Sequence, residues 1–396
     1  MSDFKVNGFK AAAVRSGIRG KDRLDLGLIV CEQSAVAAGV FTTSLVKAAP
    51  VLLDMERLAS GWGRAILVNS GIANACSGEP GMAAAIATGR LVAEGLGIAE
   101  KEVLVASTGV IGEQLDLACF ERGVPELIKK LSVEGLTDVS LAIMTTDTVP
   151  KTAVRQVEVD GKTVKLAGMA KGAGMIKPNM ATMLSFIMTD AAVEHDCLQR
   201  MLRDGCDRSF NRITIDGDTS TNDSAIILAS GLAGNRPITG SSPGSAEFMG
   251  ALNDLLKDLA LQIVRDGEGA TKLVTVRVNG ARDNSEAKMA AETVANSNLV
   301  KTAFFGEDAN WGRIIAALGR SGAEFDQQKV DIAFDDVLMV ENGLGRGKEV
   351  ESAATAVLKK KEFSVDIDLK AGNGACECYT CDFSLDYVKI NADYRT

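Results

Sequence analysis

The chain holds a single histidine in 396 residues. Mechanisms that need two imidazoles, such as an H-E-x-x-H zinc site, are therefore excluded. A Ser-His-Asp triad would have to use His195, which lies in Glu194-His195-Asp196, a polar stretch that reads as the solvated start of a helix. A hydrolytic or transfer enzyme built from this chain needs another base. Proline is scarce too, at 7 against 40 glycines. No run of about 18 uncharged apolar residues occurs, so no transmembrane span is expected. The N-terminal MSDFKVNGFKAAAVRSG lacks the continuous apolar stretch of a secretory signal, and Asp3, Asp22 and Asp25 make it a poor transit peptide. Positive charge is outweighed: a net charge of −9 argues against nucleic acid or an anionic membrane as a main partner. A cytoplasmic protein is expected. At 46% hydrophobic and 24% charged, the composition is that of an ordinary globular chain, long enough for two or three domains or one large α/β body.

Paired cysteine patterns are nearly absent. Eight cysteines are mostly scattered singly in a chain far larger than a disulfide-stapled scaffold. The exception is Cys376-Glu-Cys378-Tyr-Thr-Cys381, between a Gly372-Asn373-Gly374 turn and FSLDYVKI. Strand alternation puts Cys376 and Cys378 on one face and Cys381 on the other. No fourth ligand is near, so no metal is expected there. Gly343-Leu-Gly345-Arg-Gly347-Lys348 lacks P-loop spacing and is followed by Glu349, so it reads as the turn after strand VLMV (337–340). Asp216-Gly-Asp218-Thr-Ser-Thr-Asn-Asp223 resembles half a calcium loop but lacks the glycine at loop position 6 and the glutamate at 12. It reads as a polar loop lining a cleft.

What the chain does have is a mixture of short apolar runs and helical patterns. LDLGLIV (24–30), AVAAGVF (35–41) and RAILVNSG (64–71) alternate with glycine-rich turns, and 80–97 follows as a helix ending on glycine. Val103–Ser107 is a strand running into Thr108-Gly109. RQVEV (155–159) and KTVKLAG (162–168) flank Asp160-Gly161, a type I′ hairpin signal. A helix over 246–264 carries Phe248, Leu252, Leu255, Leu256, Leu259 and Ile263 as one stripe, and LVTVRVNG (273–280) is a strand. FSVDIDL (363–369) alternates strictly and reads as an antiparallel strand with one wet face. Without a regular βαβ repeat, internal repeat or linker, the expected class is α/β, or α+β, with mixed sheets.

The most informative stretch is KGAGMIKPNMATMLSFIMTD (171–190). Gly172 and Gly174 allow close backbone approach, Pro178 biases Lys177 toward extended geometry, and Thr182 to Met188 reads as a buried strand. A hydroxyl at the mouth of such a strand, behind a loop able to strain a peptide bond, suits a threonine that cuts its own chain. The freed amine could then activate the hydroxyl. The plainer reading is a glycine loop feeding a core strand.

Several segments together resemble one family, the ornithine acetyltransferases or glutamate N-acetyltransferases, also called the ArgJ family. They are AGVFTTSLVKAAPV (38–51), NSGIANACSG (69–78), STGVIGE (107–113), IMTTDT (143–148), MAKGAGMIKPNMATML (169–184), DGEGATK (266–272), TAFFGEDANWGRI (302–314) and YVKINADYRT (387–396), in the family's order along almost the whole chain. The resemblance implies a precursor that cleaves itself between Ala181 and Thr182. It gives an α fragment (1–181) and a β fragment (182–396) in one interwoven body, typically as α2β2. It implies that Thr182 carries the acetyl group from N-acetyl-L-ornithine to L-glutamate in cyclic arginine biosynthesis, with no cofactor and with acetyl-CoA as a donor in some members. The implied fold is similar to that of the L-aminopeptidase/D-esterase family, like N-terminal-nucleophile hydrolases with different connectivity. The implied oxyanion hole is Thr108 with Gly109, and the implied substrate contacts are Thr145, Lys171, Thr182, Glu268, Asn391 and Thr396. Lys171 suits the α-carboxylate that both substrates share, and Glu268 the δ-ammonium of ornithine. GNGACECYTCDF (372–383) is richer in cysteine than the family pattern. Two rival readings share these residues: a self-processing aminopeptidase or amidase that gives the acyl group to water, and a non-enzymatic amino-acid-binding protein.

Overall fold

The computed structural model describes residues 4–20, 22–177 and 183–393, which form two compact units. The first comprises the described residues of Met1–Asn211 and Asp218–Ile263. Its strands are β1 (Phe9–Val14), β2 (Leu26–Phe41), β3 (Trp62–Ile72), β4 (Val103–Val110), β5 (Lys151–Val159), β6 (Lys162–Lys171), β7 (Leu184–Thr189) and, after the short β8 (Ile213–Thr214) of the second unit, β9 (Ser224–Ala229). They form one sheet in the order β4-β3-β2-β9-β7-β6-β5, with β1 also paired to β2. Two apolar runs expected as separate strands are one 16-residue strand, β2, whose register with β3 shifts between Val30 and Ala35. The turn expected between them, over Cys31-Glu32-Gln33-Ser34, is absorbed as that irregularity.

The sheet is not flat. In a flat sheet, β6 would lie five strand spacings from β4, roughly 24 Å. Yet the Lys171 ammonium at the end of β6 lies 3.2 Å from the Thr108 hydroxyl in β4. The sheet therefore curls over on itself, and one cluster holds Ile66, Leu104 and Ala106 from one half with Met169, Phe186 and Leu228 from the other. Helix α4 (Leu136–Ala142) adds Leu136 and Val139 to it. A second cluster joins Leu28, Leu67 and Val105 to α1 (Ala49–Leu58), α2 (Gly78–Leu96) and α3 (Leu117–Lys130). The hairpin turn has positive φ at both Asp160 (53°) and Gly161 (70°), as a type I′ turn requires. Helix α5 (His195–Arg208) starts at the polar stretch containing the lone histidine. Helix α6 (Ser245–Arg265) buries the whole stripe from Phe248 to Ile263. Each such side chain stabilises by about 1.5–3 kcal/mol relative to exposure. A Cβ on Gly168 in β6 would come within 2.8 Å of Leu255, so a bare backbone there makes room for the helix.

The second unit comprises the described residues of Arg212–Gly217 and Val264–Tyr394. Its sheet runs β13-β12-β11-β14-β10-β15-β8, built from β10 (Leu273–Ala281), β11 (Asp331–Phe334), β12 (Val337–Glu341), β13 (Leu344–Gly345), β14 (Glu362–Asp368) and β15 (Gly374–Cys381). Helices α7 (Asn284–Ala295), α8 (Asn298–Phe305), α9 (Trp311–Leu318) and α10 (Lys348–Leu358) enclose its core, and α11 (Leu385–Asp393) follows. The expected antiparallel strand at 363–369 is corrected: β14 pairs antiparallel with β11 but parallel with β10. The chain between β10 and β14 crosses over through four helices, which a local alternation pattern does not report. Cys376 and Cys378 face the core cluster, while Cys381 lies outside it, and all eight cysteines are free. Mixed sheets with helices make this an α/β fold, as expected from the sequence.

Candidate active site

The parallel pairing of β3 and β4 sets Ser70 opposite Thr108 and Gly71 opposite Gly109. Thr108-Gly109 was expected to follow the strand at 103–107; it is instead part of β4, still in register with β3. The strands stay paired this far because two glycines meet. Gly71 and Gly109 have φ of 113° and 133°, and a Cβ on Gly109 would sit 2.2 Å from the Gly71 carbonyl carbon. Ser107 donates its hydroxyl to Asn69 Oδ1 at 2.7 Å, and Asn69 donates to the Ile72 carbonyl at 2.9 Å, so this strand end is fixed by its own side chains.

Against Thr108 stands a buried ionic cluster. Lys171, the last residue of β6, points its ammonium at the Thr108 hydroxyl. Asp147 binds the Lys151 ammonium at 2.6 Å with one oxygen and takes the Gly172 N–H at 2.8 Å with the same oxygen. Its other oxygen accepts the Thr145 N–H at 2.9 Å. Burial works to raise the Asp147 pKa, but the charges of Lys171 and Lys151 and these hydrogen bonds hold it down at about 2. Asp147 thus ties Thr145, Lys151 and the residue after Lys171 into one group. Arg19 reaches the same place: its guanidinium donates to the carbonyls of Met144 and Thr145, and its side chain packs beside Gly71.

The 216–223 loop completes the surroundings. Asp223 is 1% exposed, and burial pushes its carboxyl well above the ordinary range despite hydrogen bonds from Ser220 and the nearby Lys171 charge. Among the described residues its Oδ2 has no hydrogen-bond partner. Thus the loop read as lining a cleft contributes a buried acid. No group of three or more potential metal-ligating side chains occurs among the described residues.

In the second unit Glu268, 8% exposed, accepts the Asn391 amide at 2.8 Å, so these two expected contacts lie together. The structure therefore assembles the expected residues in two sets, Thr108, Gly109, Thr145 and Lys171 in the first unit and Glu268 with Asn391 in the second. Ala181, Thr182 and Thr396 lie outside the described residues. Sequence reasoning missed Asp147, Lys151, Asn222 and Asp223. Asp147 stood inside IMTTDT and the last two inside the acidic loop, but nothing local to Lys151 marks it. His195 bonds its own neighbour Asp196 at 3.1 Å and packs over Gly61.

The first unit of this α/β fold thus sets a buried ammonium against a strand-end hydroxyl. The ArgJ family matches residues 10–396. The arginine biosynthesis bifunctional protein ArgJ of Desulfotalea psychrophila is 56% identical over 99% of this chain and 100% of its own. That of Geobacter sulfurreducens is 55% identical over 99% and 100%. A crystal structure of the ArgJ protein of Bacillus halodurans is 45% identical with a TM-score of 0.51, covering 53% of this chain and 98% of its own. The chain belongs to the ArgJ family, and it is an enzyme, an acyltransferase of arginine biosynthesis. No helix among the described residues is long and apolar enough to cross a membrane.

Proposed function

We propose that the protein cleaves itself between Ala181 and Thr182 and then moves the acetyl group of N2-acetyl-L-ornithine to L-glutamate through an acetyl-Thr182 ester. The observation carrying this reading is the Lys171 ammonium 3.2 Å from the Thr108 hydroxyl, a carboxylate-binding charge beside an oxyanion donor. In the first half-reaction Thr182 Oγ attacks the acetyl carbonyl and passes its proton to its own α-amine. With an unperturbed pKa near about 7.7–8, that amine suits a base at neutral pH. The oxyanion is held by Thr108 and the Gly109 backbone, and collapse returns the proton to the leaving ornithine amine. In the second, the glutamate amine attacks the ester, releasing N-acetylglutamate and the threonine hydroxyl.

Lys171, with Thr145, takes the α-carboxylate of either amino acid, and Glu268 with Asn391 takes the ornithine side chain; Thr182 and Thr396 contribute the remaining contacts. The bifunctional name of the relatives fits acetyl-CoA as a second donor. The Bacillus halodurans chain supports cleavage: it is matched almost end to end by just over half of this sequence, the share that residues 182–396 make up. An α2β2 assembly in the cytoplasm completes the proposal. The test is acetylornithine turnover with and without glutamate. Glutamate should accelerate it and become acetylated; release of free acetate at an unchanged rate would establish an amidase instead.

A further inference from the structure

Asn222 belongs to neither substrate set, yet it is the side chain that ties the acidic loop to the oxyanion strand. It is buried, and its amide nitrogen donates to two carbonyls, that of Ala73 at 2.6 Å and that of Ser107 at 2.8 Å. Two carbonyls, which only accept, fix that end of the amide as the N–H end, and its oxygen accepts the Thr221 hydroxyl at 2.6 Å. Both carbonyls belong to the exit of the β3–β4 pair. Ala73 donates its N–H to Val110, one residue past Gly109, and Ser107 immediately precedes Thr108. A peptide group is planar, so holding the Ser107 carbonyl fixes the plane from which the Thr108 backbone starts. The next residue, Asp223, lies close enough to feel the Lys171 charge.

We infer that Asn222 is a positioning residue for acyl transfer, setting Thr108 and Gly109 where the oxyanion forms. The inference rests on the proposed oxyanion role of Thr108. Only an amide fits: a carboxylate of the same shape would turn lone pairs toward two carbonyl oxygens, and alanine would remove the donor that both carbonyls share. The alanine change touches no substrate-binding charge, so its effect belongs to the chemical step. Small displacements of a catalytic group cost up to about a hundredfold in rate.

The experiment is a double-mutant cycle of Asn222→Ala and Asn222→Asp against Thr108→Ala, with kcat and KM for acetylornithine and a thermal melt for each protein. Each Asn222 variant is expected to lower kcat roughly 10–100-fold with KM nearly unchanged. In combination with Thr108→Ala it should add little beyond the Thr108 loss, because both remove one function. A normal kcat in Asn222→Ala, or losses that multiply in the double variant, overturns this inference while leaving the oxyanion assignment intact. Loss of a cooperative melt in both Asn222 variants assigns the residue to the fold and overturns it equally. An unchanged kcat in Thr108→Ala alone overturns the oxyanion assignment and the inference with it.

Discussion

Thr108 and Lys171 come from positions 63 residues apart and meet through a hydroxyl and an ammonium. If the hydroxyl serves the transition state, Thr108→Ala should lower kcat by roughly 10²–10³ with little change in acetylornithine binding. Steady-state kinetics checks this, since an unchanged kcat with a raised KM would make Thr108 a ground-state contact. Asp147 makes a separate prediction. Its folded pKa of about 2 lies below the unfolded value of about 3.9, so its contribution is complete above that value and is lost as pH falls through about 2. The size is roughly 2–3 kcal/mol. Melts between pH 5 and 2 should therefore show a shallower acid loss in Asp147→Asn than in the parent, from a lower starting stability. Lys171 and Glu268 were singled out because a motif framed them, and both are buried with polar partners. Lys151 was not, because its role is set by the 0% exposure that tertiary packing gives it and by a carboxylate one helical turn's spacing away.

At the scale of elements, existence and type were readable wherever a period was strong. The α6 stripe and the Asp160-Gly161 hairpin stand within a few residues of their expected bounds. What periodicity misses is pairing. The long β2, the parallel side of β14 and the continuation of β4 through Gly109 all depend on which strand lies alongside. The β3–β4 exit carries a prediction of its own. A Cβ at Gly109 meets the Gly71 carbonyl, and φ of 133° is unfavourable for any side chain. Gly109→Ala should thus prise the strand ends apart, destabilising by about 1–3 kcal/mol and depressing both self-cleavage and transfer. Urea unfolding alongside a cleavage time course would show it; full activity at parental stability would mean that the strand end tolerates a shift.

The whole molecule divides differently from the fragments that self-cleavage would produce. The compact units part near residues 211–217 and 263–264, whereas the proposed scission falls between β6 and β7, which are neighbours in one sheet. Residues 166–171 pair with 184–189, and β7 is paired on its other side with β9. Cutting the chain between them removes one covalent link but leaves both ladders and the shared core in place. The sequence hid this arrangement because the curl of the sheet arises from non-local pairing. Denatured protein should therefore give two species by intact mass, 1–181 and 182–396, the second beginning Thr-Met-Leu-Ser on Edman sequencing. Native size-exclusion chromatography of the same sample should give one complex containing both. Thr182→Ala should remain a single folded, inactive chain, since the proposed cleavage and transfer use the same hydroxyl. A single full-length chain in an active wild-type preparation would rule out the cleavage, and an active Thr182→Ala variant would remove Thr182 as nucleophile. Fragments that separate without denaturant would show that the β6–β7 ladder does not hold the cut protein together.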